Sequence, residues 1–195
     1  MFQASTKKLL LVLIFSISSV LIAEDYQPGK HYQVLSEPIA TRDSKKIEVI
    51  EFFWFGCGHC YSLENQLNSW EKKLSADVDF WRSPITWNEM AKTHAKLFYA
   101  AEFFKKPDII ASTFVSIHAN QRMMTSEREL EPFFASYGIA QDQYQSLFNS
   151  FAMQNKIRRA DTFGLKYEIR GVPAFIVNGK YKVSASRQVG TSELL

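Results

Sequence analysis

Apolar and polar positions change period several times along this chain, and each change marks an element. Ile47 to Phe55 is a nearly continuous apolar run with Glu51 inside it, the pattern of a strand buried on both faces. From Tyr61 to Leu74 the period lengthens, and Leu63, Leu67, Trp70 and Leu74 recur at helical spacing. The stretch "VDFWRSPI" returns to strand, with Pro84 at or beyond its end because proline cannot donate to a sheet ladder. Strand, helix, strand is a βαβ-type unit.

Helical periodicity then holds for a long way. Met90 to Lys106 reads as a helix stopped by Pro107, and Asp108 to Ala119 as another. Ser126 with Glu129 three residues on has the spacing of a capping box, and Gly138 closes that helix. Two further helical stretches fill roughly 141–150 and 152–167. "AFIVNGKYKV" is strand, turn, strand, with Asn178-Gly179 as the two-residue hairpin signal. The helical stretch of about 88–168 therefore sits as an insertion inside one α/β unit. The closing "TSELL" reads as a helix N-terminus capped by Thr191 or Ser192, so a C-terminal helix is expected to be truncated at Leu195.

The N-terminus is set apart by its own pattern. Lys7 and Lys8 precede an apolar stretch from Leu9 to Ile22, and Ala23 stands before Glu24 and Asp25. That layout predicts a secretory signal over residues 1–23, leaving one domain over 24–195. The alternative is an uncleaved anchor, but the stretch is short of the ~20 residues a spanning helix needs. Removing it takes two lysines and leaves 21 basic against 20 acidic residues, a balance that gives no electrostatic case for nucleic acid. The chain is 46% hydrophobic with 16 phenylalanines, ample for a core. Export would place it in an oxidising compartment.

That compartment matters because the chain has two cysteines, Cys57 and Cys60, directly after the first strand. A structural zinc site wants four ligands, and His31, His59, His94 and His118 show no ligand spacing. Haem attachment wants histidine where Tyr61 stands. A purely structural disulfide across so short a loop constrains the unfolded chain little. Redox chemistry is favoured over these. With the helix starting at Cys57, that sulfur meets free backbone N–H groups and the positive dipole end, both favouring thiolate. Cys60 lies one turn on, on the same face, and would resolve a mixed disulfide. Gly58 leaves the turn uncrowded, and His59 can assist the Cys57 thiolate as a cation or donor.

A strand, then "GCGHC" opening a helix, a helical insertion and "RGVPAFIVNGKY" together resemble the thiol:disulfide interchange proteins of the DsbA type over roughly residues 26–190. The resemblance implies a thioredoxin fold with an inserted helical subdomain. It implies a periplasmic enzyme that donates its Cys57–Cys60 disulfide to newly exported, cysteine-containing proteins, needs no cofactor or metal, and is reoxidised by a quinone-linked membrane partner of the DsbB type. A monomer is expected. Val172 and Pro173 would form the loop facing the cysteines, with Pro173 cis, and Val172 and Gly58 would face the substrate. The family more often has proline where Gly58 stands, and weaker oxidising power is expected here. Its closing helix is not seen beyond Leu195. A disulfide isomerase or reductase, and a peptide-binding holdase, are the alternative functions.

Glu51 matches the buried glutamate of that family, and Arg82 falls where a basic partner is usual. Strand alternation puts Ile47, Val49, Glu51, Phe53 and Phe55 on one face. A charge buried there is costly unless partnered or protonated, and Arg82 is the nearest sensible partner. The alternative is a register in which Glu51 reaches water. Buried, it could exchange the proton that Cys60 gains and loses.

Overall fold

The computed structural model describes residues 26–186 and 189–195; the expected signal over residues 1–23 lies outside the described residues. Five strands form one sheet: β1 (Gln33–Val34), β2 (Ile47–Phe53), β3 (Val78–Pro84), β4 (Ala174–Val177) and β5 (Tyr181–Ser184), in the order β1-β5-β4-β2-β3. β2 and β3 run parallel because α1 (Gly58–Glu71) crosses between them, and the other pairings are antiparallel. α2 (Glu89–Phe103), α3 (Asp108–His118), α4 (Glu127–Ala135), α5 (Gln141–Asn149) and α6 (Phe151–Lys166) all fall between β3 and β4.

β2 is an interior strand, paired with β4 on one edge and β3 on the other, and Glu48 to Phe53 are all buried. Ile50 and Phe52 point to one face, packing with Ile85, Tyr167, Ile169 and Ile176. Val49 points to the other, with Leu63 and Leu67 of α1 and with Phe175, Val189 and Leu194. Phe53 and Phe55, at the end of the strand, insert into a third cluster built largely by the inserted helices. Phe55 meets Phe114 of α3 at 4.7 Å between ring centroids, and Phe53 meets Phe98 of α2 at 5.2 Å. Each buried phenylalanine contributes about 1.5–3 kcal/mol, so the strand leading to the cysteines is anchored in both subdomains.

The sequence pattern misplaces some details. Ile47 is exposed, so the apolar face of β2 begins at Val49. Glu48, which the apolar run conceals, is buried. It accepts the Arg42 backbone N–H at 2.9 Å, and its own N–H donates to the Asn178 side chain at 2.9 Å. Asn178 (φ 49°) and Gly179 (φ 61°) form the expected hairpin turn. Only glycine fits the second position, because a Cβ there would lie 1.9 Å from the Ile39 carbonyl oxygen. β1 was hidden in a polar stretch. Residues 191–193 form one turn of 3₁₀ helix that follows Gly190.

Candidate active site

The chain leaves β2 at Phe53 and turns sharply, the Cys57 N–H donating to the Trp54 carbonyl at 2.9 Å. Cys57 is the N-cap of α1, with extended backbone angles, and its sulfur accepts the Cys60 N–H at 3.4 Å. The two cysteines are free thiols in very different surroundings. Cys57 is half-buried, whereas Cys60 has no exposed surface.

Their proton affinities separate accordingly. The Cys60 thiol donates to the Cys57 thiolate and lowers its pKa from 9.0 to about 6. Partial burial opposes this, while the backbone N–H groups of Cys60 and His59 and the His59 charge add to it. Burial pushes Cys60 far up, and its contact with the Cys57 sulfur pushes the same way. One sulfur is therefore an open, ready thiolate and the other an enclosed thiol. His59 is exposed, with Nδ1 at 3.5 Å from the Thr191 hydroxyl. Gly58 is exposed, with open space where a Cβ would stand.

Across from Cys57 lies the loop before β4. The Val172–Pro173 peptide is cis, and the Val172 carbonyl is 3.4 Å from the Cys57 sulfur, accepting from the thiol when it is protonated. Among the described residues, the Val172 N–H has no hydrogen-bond partner. A groove of about 710 Å³ runs beside this loop, lined by His59, Arg170, Val172, Pro173, Lys182 and Thr191 among others.

Beneath the cysteines, Glu51 is fully buried. Parallel pairing sets Glu51 opposite Arg82, whose Nε donates to the carboxylate at 2.5 Å. Among the described residues, the other Glu51 oxygen has no hydrogen-bond partner. Burial raises the Glu51 pKa from 4.5 to about 7 against the pull of Arg82, with Glu64 adding to the rise. Glu51 therefore does not reach water. Arg82 also grips Glu64 at 2.5 Å and stacks over Phe53 at 4.2 Å, so one guanidinium serves two carboxylates.

Sequence reasoning missed Glu64. Its signal was available: four residues after Cys60, it shares that helix face and points at the sheet. His118 was also missed as part of the site. Its Nε2 lies 2.7 Å from the Phe55 carbonyl, a contact across 63 residues that no local pattern encodes. Among the described residues no cluster of side chains suited to a metal is present.

A family model described as a DSBA-like thioredoxin domain matches residues 48–194. The thiol:disulfide interchange protein DsbA of Pseudomonas aeruginosa is 34% identical over 174 residues, covering 89% of this chain and 82% of that protein. The protein of the same name from Burkholderia cepacia is 32% identical over 183 residues, 90% of this chain and 86% of that one. Among solved structures, Pseudomonas aeruginosa DsbA superposes with a TM-score of 0.80 at 34% identity, over 88% of this chain and 90% of that one. Xylella fastidiosa DsbA does so with a TM-score of 0.78 at 25% identity, over 87% and 93%.

Proposed function

The chain belongs to the DSBA-like thioredoxin domain family and is a thiol:disulfide oxidoreductase with a thioredoxin-like fold, and from that premise we propose that it works as an oxidase of exported proteins. The observation that carries the reading is the asymmetry of its two thiols. A substrate thiolate attacks the Cys57 sulfur of the enzyme disulfide, the S–S bond breaks, and Cys60 leaves and takes up a proton. A second substrate thiolate then attacks the substrate sulfur of the mixed disulfide and releases Cys57 as thiolate. Two electrons pass from the substrate dithiol to Cys57 and Cys60.

Release is favoured because Cys57 is a good leaving group at neutral pH. At pH 7 the lowering from 9.0 to about 6 stabilises the reduced fold by at most about 1.4 kcal/mol, roughly 30 mV. Water at the open side of the sulfur screens part of this, leaving about 1 kcal/mol, or ~20 mV. The direction is that of an oxidant.

Glu51, holding a proton up to about pH 7 and lying close enough to raise the Cys60 pKa, supplies the proton that Cys60 gains and takes it back on reoxidation. Val172 offers its free N–H and the groove beside Pro173 offers width for an extended substrate segment, with Gly58 leaving the approach open. Reoxidation needs an electron acceptor, and a quinone-linked membrane partner of the DsbB type suits it. The periplasm is the compartment where such exchange has exported substrates. The test is oxidative refolding of a reduced, disulfide-containing protein by the stoichiometric oxidised enzyme. Wild type is expected to form the substrate's disulfides within minutes and Cys57→Ser none; equal yields would refute the reading.

A further inference from the structure

His118 occupies a position that the exchange chemistry does not by itself explain. It is the last residue of α3, and it touches both ends of the redox turn. Its Nε2 lies 2.7 Å from the Phe55 carbonyl, on the entering side. A carbonyl only accepts, so Nε2 carries the proton in this contact. Its ring lies parallel to Tyr61, centroids 4.7 Å apart and planes 6° apart, on the leaving side. Phe114, one turn earlier on α3, stacks on the same Tyr61 ring at 6.0 Å. Tyr61 is itself tied back to the turn, its N–H donating to the Cys57 carbonyl at 3.0 Å.

The turn needs an external hold of this kind. Within it, the Cys57 N–H closes onto the Trp54 carbonyl at 2.9 Å, a bond that does not itself engage the peptide between Phe55 and Gly56. Gly56 adds no constraint of its own, and a Cβ there would lie 2.4 Å from the Trp54 ring, so a side chain at this position would have to displace that ring. His118 braces that peptide by its carbonyl. The orientation of the next residue decides whether the Cys57 sulfur faces the Cys60 and His59 N–H groups that lower its pKa.

We infer that His118 is a positioning residue: by donating from Nε2 to the Phe55 carbonyl and stacking on Tyr61, it holds the Gly56–Cys57 turn from the helical insertion and so keeps the Cys57 sulfur on its N–H donors. This rests on the oxidoreductase reading above and deepens it. The insertion thereby acts on the reactivity of a sulfur that belongs to the sheet subdomain, through one side chain. His118 touches neither reacting sulfur and carries no proton of the exchange.

Two substitutions separate its two contacts. His118→Phe keeps a ring against Tyr61 and loses the donor; His118→Gln loses the ring and keeps a donor. The readouts are the Cys57 pKa, from thiolate absorbance in the ultraviolet, and the equilibrium constant against glutathione. His118→Phe is expected to raise the Cys57 pKa by about half a unit and to shift the glutathione equilibrium about threefold toward the disulfide form at pH 7.5. His118→Gln is expected to restore at least half of that shift. Unchanged values in His118→Phe, or equal shifts in both variants, would overturn the inference and reduce His118 to packing. A measurement on the wild type stands apart from the folding of either variant: nitrogen-15 shifts should show a proton on His118 Nε2, and a ring protonated at Nδ1 alone would overturn it too. Failure of the oxidase reading shows separately, in the refolding assay, whereas a wild-type Cys57 that titrates near 9 would overturn the role of His118, because the sulfur would then not be held on its N–H donors.

Discussion

Replacing Glu51 by glutamine probes the buried charge most sharply, because its effect must depend on pH. The carboxyl is fully enclosed, and its pKa stands at about 7 against 4.5 in the unfolded chain. The folded state thus holds this proton to higher pH than the unfolded state does. Its contribution to stability is fully present below pH 4.5 and is lost as pH rises through 7. Between pH 5 and 8 the wild type should lose on the order of 2 kcal/mol from this group alone. A glutamine side chain cannot ionise, so the variant lacks that loss. Urea unfolding of the two reduced proteins at pH 5, 6, 7 and 8 measures it, and the titration of Cys57, common to both, cancels in the difference. The stability of Glu51→Gln relative to wild type should climb by about 2 kcal/mol across the range, most steeply between pH 5 and 7 and levelling off above that. A constant offset from pH 5 to 8 would refute the raised pKa, and with it the proton exchange between Glu51 and Cys60.

Other substitutions test the neighbouring parts. Arg82→Met leaves Glu51 and Glu64 buried without their shared cation, and should cost about 3–5 kcal/mol at pH 8 and less at pH 5, read by denaturant unfolding. Gly58→Pro places proline at the first residue of α1, where open space surrounds the position and the Cys57 sulfur is served by other N–H groups. It should stabilise the fold by about 0.4–1 kcal/mol in thermal melts while leaving the Cys57 pKa unmoved. Cys60→Ala removes the resolving thiol, and mixed disulfides with substrate proteins should accumulate on non-reducing gels.

Much of this arrangement was legible because the residues that build it repeat at local periods. The apolar run of β2, the helical spacing after Tyr61 and the Asn178-Gly179 turn each declare an element within ten residues or so. The cysteine pair at the strand-to-helix junction declares its chemistry the same way. Arg82 could be matched to Glu51 because a βαβ unit sets parallel neighbours side by side, and the register pairs them directly. Glu48 and Ile47 went astray because alternation assigns faces but not coverage. Glu48 is held by the Arg42 backbone N–H and the distant Asn178 side chain, while Ile47 sits where the strand has not yet entered the core. β1 has two residues, too few for a period. His118 reaches the turn only because α3 packs on α1, and no spacing along the chain records that approach.

The claim that two unlike thiols divide the work of exchange is tested most directly by the rate at which each is alkylated as pH rises. The reduced protein is treated briefly with iodoacetamide between pH 4 and 10, and the modified cysteine is identified by mass. Cys57 should carry the label, with a rate half-maximal near pH 6, while Cys60 stays unmodified across the neutral range. A Cys57 midpoint near 9, or equal labelling of both sulfurs at pH 7, would contradict it.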